Sequence, residues 1–219
     1  MAASGIGTRL RDARTQRGLS LRSVAQALGV SASLVSQVET GKTQPSVSTL
    51  YALANHLGVS LDELLGIVPT SARPTRTMFG HAGTLLPNVQ HGEDNPVIEM
   101  EQGVRWERLA VGSGGPADAI LVTYEPGASS SLEGKLMRHS GIEYAYILEG
   151  ELTFQLDFDT YILRKGDSLQ FESARPHMFA NQGNAVAKGI WFMVGRRSPA
   201  LLYTEGESGD VGGFEAIRH

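Results

Sequence analysis

The chain has 219 residues, 41% hydrophobic and 19% charged, with no cysteine. That length allows one or two domains. The apolar share excludes wholesale disorder, and the missing cysteine excludes a disulfide framework, a thiolate nucleophile and a Cys-built zinc or iron–sulfur site. The net charge of −4 hides an asymmetry: residues 1–77 hold eight Arg/Lys and four Asp/Glu, and residues 78–219 hold eleven and nineteen. A basic front attracts a polyanion and an acidic back repels one, so two domains with different partners are expected. No apolar run approaches the roughly 20 residues that span a bilayer. The Arg-rich start lacks a signal-peptide core, and the expected location is the cytoplasm, with no membrane partner.

The front reads as five short helices. Ile6, Leu10 and Ala13 share one face, and Gly18 stops the segment. Ser20 caps a second helix with Leu21, Val24, Ala25 and Leu28 on one side, ending at Gly29. Ser31 caps a third (Leu34, Val35 and Val38 inward), stopped by Gly41. Pro45-Ser46 opens a fourth, with Val47, Leu50, Leu53, Ala54 and Leu57 at helical spacing before Gly58. Ser60 and Glu63 form a capping box for a fifth, through Leu65.

From Pro69 the pattern dissolves into a proline-interrupted linker, residues 69–103, expected to hold one strand. From Val104 the period shortens. Strands are expected at Arg105–Leu109, Ile120–Tyr124, Glu143–Leu148, Leu152–Asp157, Thr160–Leu163, Ser168–Phe171, His177–Ala180 and Val186–Val194. This spacing indicates an all-β barrel or sandwich. Residues 198–219 are a Gly- and acid-rich tail, with order expected at most around Leu201–Tyr203.

The second and third helices are joined by only Gly29-Val30-Ser31, which forces a steep crossing. Ala25 lets them approach and Val30 fills the gap. The third helix turns Ser33, Ser36 and Gln37 outward, side chains that both donate to and accept from base edges in a major groove. The run Ser31-x-Ser33-x-Val35-Ser36-x-Val38-Glu39-x-Gly41-x-x-x-Pro45 resembles the XRE family of helix-turn-helix proteins, with phage Cro and repressors as relatives. The resemblance implies a lambda-repressor-like DNA-binding domain over residues 1–68 and a buried ion pair, Arg14 with Glu39. It further implies that Ser31, Thr40, Lys42 and Thr43 approach phosphates, with Ser20 and Arg22 meeting the backbone again. Ala32, Ser33, Ser36 and Gln37 would approach base edges. A net charge of +4 on residues 1–77 is modest, so two half-sites and a homodimer are expected on double-stranded operator DNA.

In the back half, residues of equal parity share a strand face, so His139 and Glu143 point together with Met137, Ala145 and Ile147. A His and a carboxylate among apolar side chains are costly unless satisfied, and His177 begins a later strand that completes the set. Two His and one carboxylate suit Fe, Mn, Ni or Zn as divalent ions. Trp106, Phe171, Trp191 and Met193 read as core or pocket wall; His56, His81, His91 and His219 read as structural or surface residues. These clusters resemble the two motifs of the cupin family: His139, Glu143 and Gly150 in the first, Gly166, His177 and Asn181 in the second. Met137 stands where the family has a first His, and Glu172 and Ala174 stand for its Pro and Gly. The resemblance implies a jelly-roll barrel over residues 104–197 and a pocket at Met137, His139, Glu143 and His177 for a metal or an unknown small-molecule effector.

The fold expected is thus multidomain α + β, a helix-turn-helix domain followed by a cupin barrel. The function expected is a transcriptional regulator, not an enzyme, whose barrel senses and dimerises. The same layout also resembles hydroxypropylphosphonate epoxidase, an iron oxidase with an XRE-like front. That family lacks the same first His, but uses a front-domain Lys about where Gly18 falls here. A plain ligand-binding cupin with a vestigial front is the third reading.

Overall fold

The computed structural model describes residues 4–66, 89–111, 117–131 and 134–195. The expected segments at residues 69–88 and 198–219 lie outside these. The helical part comprises α1 (Ser4–Gln16), α2 (Leu21–Leu28), α3 (Ala32–Glu39), α4 (Val47–His56) and α5 (Leu61–Leu65). Local chemistry sets the boundaries. Ser20, Ser31, Ser46 and Ser60 each accept a backbone N–H of their helix's first turn, satisfying donors that have no partner within the helix. Ser60 and Glu63 close a reciprocal capping box, as Ser20 and Ser23 do. The core of this part is Leu10, Val24, Val35, Leu50, Leu53, Leu57 and Leu64. Gly7 of α1 is needed for packing, since a Cβ there would come within 2.4 Å of the Val38 carbonyl oxygen at the end of α3.

The barrel consists of β1 (Val97–Glu99), β2 (Val104–Leu109), β3 (Ala117–Tyr124), β4 (Ile142–Glu149), β5 (Glu151–Leu156), β6 (Asp159–Arg164), β7 (Ser168–Glu172), β8 (His177–Ala180) and β9 (Ala187–Val194). One sheet runs β1-β2-β3-β9-β4-β7 and the other β6-β5-β8, with every pairing antiparallel. β1 lies inside the segment read as linker and pairs Ile98 with Trp106, so the sheet begins before residue 104. Alternating burial along β2 and β9 places Val104, Trp106, Trp191 and Met193 inward. Phe154 stacks on Phe179 at 4.6 Å, and Phe179 meets Trp191 edge-on at 5.2 Å. Gly150 turns β4 into β5 with φ 75°, where a Cβ would lie 2.4 Å from the Val186 carbonyl oxygen.

The two parts pack on one another. The Ser48 N–H at the start of α4 donates to Ser130 O at 3.1 Å, and the Glu101 N–H donates to Pro45 O at 3.1 Å. Arg108 of β2, 4% exposed, donates to Asp62 of α5 and to Asp118 of β3, each at 2.9 Å. Among the described residues no helix is long and apolar enough to cross a membrane.

Candidate functional site

The chain carries two candidate sites. The first is the outer face of the helical part. α3 leaves Ser33 and Gln37 exposed and Ala32 and Ser36 half-exposed, with Thr40 and Lys42 exposed just beyond. The Thr43 hydroxyl donates to Gln37 Oε1 at 3.4 Å, and the Thr40 hydroxyl to Ser36 O at 2.8 Å. Ser31 and Ser20 hold the starts of α3 and α2 as caps, and Arg22 is exposed on α2. Behind this face, Arg14 Nε lies 2.6 Å from Glu39 Oε1 and its Nη2 2.9 Å from Oε2, while its Nη1 donates to Leu19 O at 2.7 Å. This buried two-pronged bond fixes α3 on α1 and raises the Arg14 pKa above its usual value.

The second site is inside the barrel. His139 Nε2 is 2.8 Å from Glu143 Oε1, and His177 Nε2 is 3.5 Å from the same oxygen. All three residues are buried, and their ligand atoms lie within 4.8 Å of one another. Parity alone puts His139 on the same strand as Glu143. Instead β4 begins only at Ile142, because Gly141 takes φ 114° and breaks the strand. The side chains still converge, since the chain from Met137 to Gly141 stays paired with residues 173–177. The His139 N–H donates to Ser173 O at 2.9 Å and the Met137 N–H to His177 O at 2.9 Å. Met137 therefore lies in the pocket wall. Asn181 donates to Tyr124 O and Ala185 O, tying down the end of β8.

The polar valences decide what this site is. His139 Nδ1 faces Ser140 O at 3.2 Å and His177 Nδ1 faces Arg175 O at 2.8 Å. Each Nδ1 is thus turned to a backbone carbonyl, as in a metal-ligating His, and each Nε2 faces the pocket. Both Nε2 atoms are buried without a well-aligned hydrogen bond; among the described side chains only Trp106 Nε1, in the same pocket wall, shares that state. Burial pushes the Glu143 carboxyl up, but contact with His139, the charges of both imidazoles and a 3.1 Å bond from Ser173 outweigh it and leave it below its usual range. Burial pushes His177 down, against the pull of Glu143. Two imidazoles and a carboxylate converging on one buried point are the donor types that bind a divalent cation, so the donor set fits a metal ion. Burial and the nearby Glu143 charge raise the Tyr124 phenol far above its ordinary value, so it stays neutral.

Tyr51 is a pocket residue from outside the barrel that the sequence pattern did not single out. It comes from α4 of the helical part, and its ring lies flat on His139 at 4.5 Å and 1°. The legible signal was an apolar arc on α4 wider than one helical core requires, with Val47 and Tyr51 at its edge. His56 and His91 are exposed, as expected; His81 and His219 lie outside the described residues. Gly18 is exposed beyond the end of α1, and the front domain brings Tyr51 and Val47, not its own Lys, to the pocket among the described residues.

Comparison with known proteins agrees with this division. A helix-turn-helix family model matches residues 10–64 and a cupin domain model residues 120–193. HTH-type transcriptional regulator PuuR of Escherichia coli K12 is 29% identical over 185 residues, 84% of this chain and 91% of that protein. HTH-type transcriptional regulator SutR of the same organism is 24% identical over 178 residues, 81% and 88% respectively. The crystal structure of an HTH_3 family transcriptional regulator from Vibrio cholerae superposes with a TM-score of 0.61 at 23% identity, covering 90% of this chain and 98% of that one. The chain is thus a two-domain protein, a helix-turn-helix domain joined to a cupin domain, built like the HTH-type transcriptional regulators it resembles.

Proposed function

We propose that the protein is a sequence-specific, DNA-binding transcriptional regulator whose cupin pocket holds a divalent metal and receives a small-molecule effector. The observation that carries the first half is α3, which turns Ser33 and Gln37 outward while Arg14 and Glu39 lock its back. Short polar side chains on a rigid helix read base edges. Ser20, Arg22, Ser31, Thr40, Lys42 and Thr43 supply the phosphate contacts that position it. The unmet Nε2 valences of His139 and His177 beside Glu143 carry the second half. An ion held there would supply a Lewis-acidic centre for a polar ligand.

A second copy of the chain is the natural partner, since two half-sites lend affinity that one modest basic domain lacks. The face that fits it is the outer side of β4 and β9. Tyr144 pairs with Phe192 and Tyr146 with Ile190, and Tyr144, Tyr146, Leu148 and Phe192 are 39–48% exposed. An apolar row of this kind on a sheet's outer face marks a protein contact.

The test is selection of duplexes from a random pool at about 0.15 M salt, where non-specific binding is suppressed. The expected result is an inverted repeat with half-sites roughly 10 bp apart, lost when Ser33→Ala and Gln37→Ala are combined. No enriched sequence, or unchanged affinity in the double variant, overturns the reading. The same triad supports a mononuclear iron oxidase as second reading; oxygen consumption with Fe(II), abolished by Glu143→Ala, would establish it.

A further inference from the structure

Two cavities meet at Tyr51. The inner one, about 20 Å³, is lined by His139, Glu143, Trp106 and Met193 among others. The outer one, about 470 Å³, is a cleft between the domains, lined by Leu28, Leu34 and Ser48 on one side and Leu136 and Arg138 on the other. Tyr51 and Met137 line both. Tyr51 is 6% exposed. Besides lying flat on His139, its ring meets Trp106 edge-on at 5.3 Å, and its hydroxyl donates to Met193 Sδ. A space of about 20 Å³ admits one water-sized species. Anything larger approaching the triad from the cleft takes the volume of the Tyr51 ring.

We propose that the ligand site is shared by the two domains, with Tyr51 as its gate. A small anion enters from the cleft, displaces the ring from His139 and loosens α4 from the barrel. The anion preference comes from the cleft wall, whose charged side chains among the described residues, Lys135 and Arg138, are both cationic. The coupling comes from exclusion: ligand and Tyr51 compete for one volume, so a ligand that binds only the undocked arrangement shifts the population toward it. Because α4 also packs on α2, the change reaches the helix pair that faces DNA. This inference rests on the metal-and-effector reading of the pocket.

The test uses the full chain loaded with Co(II), with azide as the anionic probe followed by the cobalt visible spectrum. Tyr51→Ala, and Tyr51→Leu as the variant that better keeps core volume, should bind azide at least tenfold more tightly than the parent. Tyr51→Phe, which keeps the stacked ring, should bind like it. Saturating azide should also raise amide hydrogen exchange of residues 47–56 in the parent chain. Equal azide affinity in parent, Ala and Leu forms, or unchanged exchange at saturation, overturns the gate. Arg138→Glu should weaken azide binding severalfold; no change overturns the anion assignment. If the parent takes up no Co(II), the metal reading fails and the gate is judged in the metal-free chain. Acrylamide quenching of tryptophan should then rise severalfold in the Ala and Leu forms and stay unchanged in the Phe form, and equal quenching in all of them overturns it.

Discussion

In the helical domain Glu39 is buried against Arg14, and both carboxylate oxygens are met by guanidinium nitrogens while a third nitrogen reaches the Leu19 carbonyl. In the barrel Glu143 is buried against two imidazoles whose Nε2 atoms make no hydrogen bond. Both regions take ionisable groups out of water, which costs desolvation energy. The first closes its valences internally and so acts as a structural clamp. The second leaves them open toward one point, as a ligand site does. Burial alone does not separate clamp from site; the count of unmet donors and acceptors does.

Removing one partner in each region separates clamp from ligand site. Glu39→Ala strands the Arg14 charge and should lower the stability of the helical domain by about 3–5 kcal/mol, read by denaturant unfolding, while divalent-metal uptake by the barrel is unchanged. Equal loss in both domains would mean that they unfold as one unit. Glu143→Gln or His177→Ala should weaken divalent-metal binding by roughly 100-fold or more, read by equilibrium dialysis, with DNA binding retained. Unchanged metal binding would reassign the triad to the core. Asp62→Asn takes one carboxylate from Arg108 at the domain junction. It should cost about 1–3 kcal/mol, seen calorimetrically as helical and barrel transitions moving apart. A single unshifted transition would place the docking energy elsewhere.

The smallest effect is with pH. Folded His177 is held below its usual value, so below about pH 6.5 the unfolded state takes up protons first. Barrel stability is therefore full above that pH and falls as pH drops through the folded value. Glu143, held below the usual carboxylate range, adds a second loss at lower pH. Metal affinity should weaken over the same window by roughly tenfold per pH unit once a proton must be displaced. Thermal melts and dialysis between pH 8 and 5 check the sign; rising stability on acidification would contradict it.

Much of this was legible in the chain because it is local. Ser20, Ser31, Ser46 and Ser60 announce helix starts through the short reach of their own oxygens, and a period of two announces β2 and β9 whatever they pack on. The helix-turn-helix motif spans only neighbouring elements, so its exposed face could be named residue by residue. The triad was legible in its membership but not in its geometry. Gly141 breaks the strand between His139 and Glu143, and pairing with residues 173–177, distant in sequence, restores their convergence. Tyr51 lies 88 residues from His139 and in another domain. Its place over the imidazole depends on how α4 seats on the barrel, through Ser48 and Arg108. Periodicity reports which face of an element is apolar and not what covers it. Local patterns in the chain are therefore enough for the two folds and for the membership of the His139, Glu143 and His177 cluster, whereas it takes the packing of the two domains to bring Tyr51 of the helical domain into the pocket wall of the barrel.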